Sequence, residues 1–186
     1  VRQAETPLPD RLETYNFLHR IAPAAMFNPQ FLDAIDTDWP DEWLRTLWGR
    51  PGDASELNRM MYLDWQRTLA DNDLRKVERT CTLAGVDVVY PMLDDRLIEF
   101  SCRVPSQLKL PGGRLRDFYK QAMRGFLPDE ILGKSKHGFG LPFGIWMREH
   151  AGLRALAGDS LMKLKTRGWL QPAFIDEALD LHGSGH

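Results

Sequence analysis

The sequence predicts a mostly α-helical chain. Apolar residues recur at spacings of three and four through most of its length, few stretches alternate with period two, and prolines repeatedly stand where helices open.

Pro9-Asp10 starts a first helix carrying Leu12, Tyr15, Phe17, Leu18 and Ile21, which Pro23 closes. Asn28-Pro29 is an N-cap followed by proline at the first helical position, opening a short helix through Phe31, Leu32 and Ile35. Pro40 repeats the device before Trp43, Leu44, Leu47 and Trp48, and Gly49-Arg50-Pro51-Gly52 ends that helix. Ser55 caps a longer helix through Leu57, Met60, Met61, Leu63 and Trp65, which Asp71-Asn72-Asp73 interrupts. Periodicity resumes from Leu74 to Leu83 and puts Lys76 and Arg79 on one face, with Gly85 as the C-cap.

Val86 to Val89 is β-branched and brief, and Pro91 holds Tyr90 out of the α region, so a short strand and an extended passage fit equally. Asp94 or Asp95 caps a helix through Leu97, Ile98 and Phe100 that ends near Pro105. Pro111-Gly112-Gly113 turns the chain, and a helix runs from about Arg114 to Phe126. Leu127-Pro128 opens a single-turn helix. Residues 133–144 are rich in glycine and carry Lys134 and Lys136, the composition of a backbone bent to approach something closely. Gly144-Ile145-Trp146-Met147 restarts helix, two more fill 152–165 and 172–182, and residues 183–186 fray.

Bulk properties bound the function. A net charge of −2, from 24 basic and 26 acidic residues in 186, offers no global field for nucleic acid or an anionic membrane. Two cysteines outside any Cys-x-x-Cys pair suggest neither a disulfide framework nor a zinc site, and no membrane span or signal peptide is visible. The expected protein is soluble and cytoplasmic. Because the chain starts at Val1 on a polar, proline-containing stretch, it is expected to be a fragment of something longer.

The chemistry concentrates in residues 85–146. In the loop Lys134-Ser135-Lys136-His137-Gly138-Phe139-Gly140-Leu141-Pro142-Phe143, glycine permits close main-chain approach and lysine supplies a compact charge for phosphate oxygens. A flexible loop with solvated lysines has the same composition. His182 and His186 are separated by a Gly-Ser-Gly tract that disfavours helix, so no metal pair is expected there, and Cys81 is expected to pack rather than react.

Leu127-Pro128, Ile131-Leu132, Lys136, Gly138-Phe139, Pro142 and Trp146 together form a phrase that resembles the C-terminal part of the synthetase domain of glutamine-hydrolysing asparagine synthases. Upstream, Asp71, Asp73, Leu74, Lys76, Glu78-Arg79 and Pro91-Met92-Leu93-Asp94 follow the same family in gapless register. The resemblance implies that Lys136 reaches the phosphates of ATP and the departing pyrophosphate, with Gly138 beside it. It implies that Asp73, with Asp71 as rival, and Lys76 lie near the aspartyl-adenylate site; an ordinary N-cap role for Asp73 competes. The family's lysine and arginine on the helix before Leu-Pro are exchanged here as Arg116 and Lys120. Those two cations are expected on one helix face, serving either phosphate or solvent.

A glutamate and an arginine usually stand four and two residues before the family's proline, whereas this chain has Asp87 and Val89. Valine supplies none of arginine's five donors, so acceptor choice is open to change. The resemblance further implies an α/β PP-loop (adenine nucleotide α-hydrolase-like) synthetase domain, of which residues 1–186 are the helical C-terminal portion. The sheet, the Ser-Gly-Gly-x-Asp-Ser pyrophosphate loop and any glutaminase domain are expected upstream. The implied reaction uses ATP with Mg2+ to adenylate aspartate or another carboxylate, which ammonia from glutamine then amidates; the fragment alone is expected to be inactive. A relative that builds a different amide and a non-catalytic helical binding module are the alternatives. Apolar surface left by truncation is expected to favour self-association.

Overall fold

The computed structural model describes residues 2–16, 18–135, 140 and 142–184, without the side chains of Arg2 and Leu18. Helices and single helical turns account for the regular structure among them, joined by turns and two isolated β-bridges. The chain divides into two units, residues 1–45 with 138–186, and residues 46–137.

In the first unit the expected helix from Pro9 to Pro23 is replaced by two 3-10 turns, Asp10–Glu13 and Leu18–Arg20. Arg20 accounts for part of the difference, because it satisfies main-chain carbonyls that the expected helix would bond internally, while Arg11 ties the first turn back to the chain before it. Arg11 Nε donates to Thr6 O at 2.6 Å, and Arg20 donates through Nε to Thr14 O at 3.2 Å and through Nη2 to Tyr15 O at 3.1 Å. Helical turns Pro23–Met26 and Pro29–Leu32 follow, each with proline at its start. Asn28 occupies the expected cap position, but its side chain points elsewhere: Nδ2 donates to Gly168 O at 2.8 Å and to Leu170 O at 3.0 Å. Gln171 reciprocates, its main-chain N–H bonding Met26 O at 2.9 Å and its Nε2 bonding Phe27 O at 3.2 Å. Phe27 and Leu170 form an antiparallel bridge, and Phe31 lies against both Phe27 and Trp169. This seam joins the early turns to the hairpin of helices Ala151–Lys165 and Pro172–Ser184, where Ile175 is 2% exposed. The helices at 151–165 and 172–184 agree with the sequence expectation to within two residues at each end, and the helix at 143–149 starts one residue before the expected restart at Gly144; Gly183 and Ser184, expected to fray, belong to the last helix.

In the second unit, one continuous helical run covers residues 56–84. Ser55 caps it by accepting from Asn58 N at 3.3 Å, and Gly85, at φ 67°, closes it in the left-handed region that glycine enters without strain. The expected break at Asp71-Asn72-Asp73 does not occur. Asp64–Leu74 instead continues the helix in the wider π register, in which each N–H bonds five residues back. The acidic residues are tolerated because each finds a cation one turn on: Asp71 with Arg75 at 3.8 Å and Asp73 with Lys76 at 2.8 Å.

The entry to this run is held by Arg59, which donates to Trp48 O at 2.9 Å, to Ala54 O at 3.1 Å and to Gly52 O, with its guanidinium over the Trp48 ring. It thereby satisfies carbonyls at the end of the helix Trp39–Gly49 and in the turn after it. Val86–Tyr90 is an extended passage with no strand partner among the described residues. Helices Asp95–Arg103 and Ser106–Lys109 follow, and Lys109 Nζ reaches back to Asn58 Oδ1 at 2.9 Å.

Buried apolar side chains among the described residues are Met26, Leu44, Leu47, Leu63, Val104 and Ile175. Large apolar side chains stand open in the second unit, including Val89 and Phe126, each 80% exposed, and Leu83 at 75%. No helix among the described residues is long and apolar enough to cross a membrane.

Candidate functional site

The expected helix from Arg114 to Phe126 is shortened to Asp117–Ala122. Its start is fixed by a two-pronged ion pair, Arg114 Nε to Asp117 Oδ1 at 3.0 Å and Nη2 to Oδ2 at 3.3 Å. The Arg114 guanidinium holds the Asp117 carboxyl below the usual carboxylate range, with Gln121 assisting. Gly125, at φ 77°, turns the chain soon after the helix ends.

This shortening corrects the expectation that Arg116 and Lys120 share a helix face. Arg116 lies outside the helix, at φ 60° in the left-handed region, a conformation that costs a residue with a side chain about 1 kcal/mol. Its carbonyl accepts the first helical bond from Lys120 N at 2.9 Å, and its guanidinium forms no hydrogen bond or ion pair among the described residues. Lys120 is engaged differently: its ammonium donates to Lys134 O at 3.2 Å and so ties the helix to the chain entering the lysine–glycine motif. Lys136 and Gly138 lie outside the described residues, as do His137, Phe139 and Leu141.

Asp73 and Lys76 lie one turn apart and form an exposed ion pair at 2.8 Å. Asp73 is not the N-cap of a following helix, since the helix passes through it without a break. Among the described residues, no hydrogen bond or ion pair links this pair to Arg116 or Lys120. Of the four described cationic and acidic candidates, Arg116 alone carries a charge that no neighbour among the described residues already uses.

The Pro91–Leu93 turn leads into Asp94, which caps the helix Asp95–Arg103 by accepting from Arg96 N at 3.0 Å and pairs with the Arg96 side chain at 3.0 Å. The Arg96 side chain, then its main-chain N–H, holds the Asp94 carboxyl below its ordinary value. A carboxyl with a depressed folded value stabilises above its unfolded value, about 3.9, and loses that contribution as pH falls through the folded value. Asp94→Asn keeps a capping oxygen and removes the charge. The variant's deficit in denaturation midpoint, measured by circular dichroism, is therefore expected to be present near neutral pH and to shrink below about pH 4.

Two features had no local signal in the sequence. The Tyr90 hydroxyl is buried without a hydrogen-bond partner among the described residues, and its loss of hydration pushes its pKa up, with Glu78 and Cys81 adding to the effect. Arg59 reads as an ordinary helix-surface cation. Both thiols, Cys81 and Cys102, are free. No group of three or more His, Cys, Asp or Glu side chains gathers to hold a metal among the described residues, and no step is assigned to Mg2+.

A short helix flanked by a cation uncommitted among the described residues, Arg116, and tied by Lys120 to the chain at Lys134 is of a class suited to holding an anion. A profile of the Asparagine synthase family matches residues 3–186, and the chain belongs to that family. It is 20% identical over 138 residues to "Asparagine synthetase [glutamine-hydrolyzing] 1" of Bacillus subtilis (strain 168), covering 74% of this chain and 22% of that protein. It is 30% identical over 90 residues to "Asparagine synthetase [glutamine-hydrolyzing] 3" of the same organism, covering 47% of this chain and 14% of the relative. The alignments thus span about a fifth or less of those proteins' lengths. No solved structure matches.

Proposed function

We propose that this chain serves as the helical C-terminal portion of an α/β PP-loop, ATP-dependent amide ligase that makes asparagine in the cytoplasm. The observation that carries the reading is the family match over residues 3–186, which takes in the whole lysine–glycine motif. A carboxylate resists attack by ammonia because its charge is delocalised and oxide is a poor leaving group. In the proposed reaction a carboxylate oxygen of aspartate attacks the α-phosphorus of ATP and pyrophosphate departs. Ammonia derived from glutamine then attacks the acyl carbon and AMP leaves. Charge growing on pyrophosphate requires fixed cations in a site shielded from water.

Lys136 and the uncommitted Arg116 are assigned to that charge, with Gly138 allowing close main-chain approach. Lys120 steadies the chain at Lys134. Lys76, neutralised by Asp73, is assigned a place at the edge of the adenylate site rather than a phosphate contact. Mg2+ would accompany ATP on residues outside this segment.

The test is amino-acid-dependent exchange of labelled pyrophosphate into ATP by the longer protein that carries this segment. Exchange driven by aspartate is expected, and the 186-residue chain alone should give none. Exchange driven by another carboxylate would favour a ligase of different acceptor, which the donorless and 80% exposed Val89 supports as a second reading. Absence of exchange with any carboxylate would leave a binding module. The open apolar side chains at Leu83, Val89 and Phe126 support self-association of the isolated chain. Sedimentation at about 20 µM should show species larger than a monomer, this being the range in which exposed apolar patches drive association.

A further inference from the structure

Apart from the expected nucleotide site, the second unit holds an open cleft of about 200 Å3 whose wall is predominantly apolar. Met61, Tyr62 and Trp65 supply much of that wall from the long helical run, Cys102 faces them from the helix Asp95–Arg103, and Asn58 and Lys109 supply polar groups. Lys109 Nζ donates to Asn58 Oδ1 at 2.9 Å in a half-buried contact and has no carboxylate partner among the described residues. An ammonium carries three donors, so hydrogen-bonding capacity remains. The same bond fixes which end of the Asn58 amide faces the lysine, leaving Nδ2 as a second donor with no partner among the described residues.

We propose that this cleft binds a small carboxylate with an apolar body, the carboxylate on Lys109 Nζ and Asn58 Nδ2 and the body against Trp65, Tyr62 and Met61. Charge decides the ligand's head: a half-buried cation paired only with a neutral amide gains most from an anion. The apolar wall decides its tail, and the volume limits it, since drug-sized ligands fill about 300–1,000 Å3 and this cleft suits a chain of about six carbons. Inorganic phosphate would use the cation and forgo the wall.

Cys102 provides the readout, because its exposed thiol lines the cleft while Cys81 does not. Alkylation by iodoacetamide is followed at both cysteines of the full chain by mass spectrometry, with hexanoate, hexanamide or phosphate present at equal concentration. Hexanoate should slow Cys102 by the factor one plus concentration over Kd, about tenfold at ten times Kd, and leave Cys81 unchanged. Hexanamide and phosphate should each slow it less than about twofold, lacking the charge or the tail. Lys109→Met should abolish the hexanoate effect, judged by the ratio with and without ligand within that variant, and Lys109→Arg should retain most of it. If Lys109→Met does not fold, Ala54→Trp takes its place by filling the cleft with Lys109 intact. No protection by hexanoate, equal protection by hexanamide, equal protection by phosphate, or protection that survives both Lys109→Met and Ala54→Trp would each overturn the proposal. The outcome is independent of the ligase assignment, because no nucleotide enters the assay.

Discussion

Replacing Lys136 by methionine in the longer protein is expected to lower pyrophosphate exchange by about 100- to 1,000-fold, the range seen when one preorganised group that meets transition-state charge is removed. The expectation rests on a chemical asymmetry. The substrate arrives with its phosphate charge already solvated, whereas charge shifting onto departing pyrophosphate must be met by groups fixed beforehand. Methionine keeps the length and apolar stem of lysine and deletes only the ammonium. If Lys136 acts on the leaving group, the loss should fall in kcat and leave KM for ATP little changed. A residue that merely binds ATP in the ground state would raise KM and spare kcat. Unchanged exchange in a folded variant would remove the role assigned to this lysine. Arg116→Met should produce a smaller loss, since its guanidinium stands on a left-handed turn and is assigned a supporting share of that charge.

The largest expected loss of stability follows Arg59→Met, about 3 kcal/mol by chemical denaturation at neutral pH. Three main-chain carbonyls, of Trp48, Ala54 and Gly52, depend on this one guanidinium, and its plane also covers the Trp48 ring. A bond from a charged donor contributes about 1.5–3 kcal/mol, and acceptors stripped of their donor keep the cost of lost hydration. Methionine preserves much of the stem's packing, so the measured difference reports the polar contacts. Water will recover part of the loss where Gly52 is exposed. A difference below about 1 kcal/mol would mean that solvent replaces the guanidinium at all three carbonyls.

The parts of this structure legible in the sequence are those governed by a few neighbouring residues. Ser55, Gly85, Asp94 and the Pro111-Gly112-Gly113 turn each act within three or four positions, and each does what its chemistry indicates. Sequence and structure diverge where a long side chain settles groups several residues away. Arg20 favours 3-10 turns where periodicity indicated a helix, and Arg114 gathers Asp117 so that the helix begins three residues late. Asp71-Asn72-Asp73 has the composition of a break, yet Arg75 and Lys76 make its carboxylates compatible with helix. The seam between Asn28 and residues 168–170 spans about 140 positions, and the Asn58–Lys109 bond spans 51; no local pattern encodes either. Of the candidate site, the pairing of Asp73 with Lys76 was not read from the sequence, because a helix break was expected between them. The uncommitted state of Arg116 was not legible either, because it depends on a backbone dihedral.

The π-register stretch at Asp64–Leu74 lies between the cleft wall at Tyr62 and the cation at Lys76. Its loosened winding fixes the angular phase between those two positions. Deleting one residue such as Ala70 would let the run relax toward ordinary winding and rotate everything beyond it by about 100° around the axis, the angle one residue occupies in an α-helix. Chains of this family that differ by a single insertion or deletion in this stretch should therefore aim their Lys76 equivalents in a different direction while keeping every neighbouring residue the same.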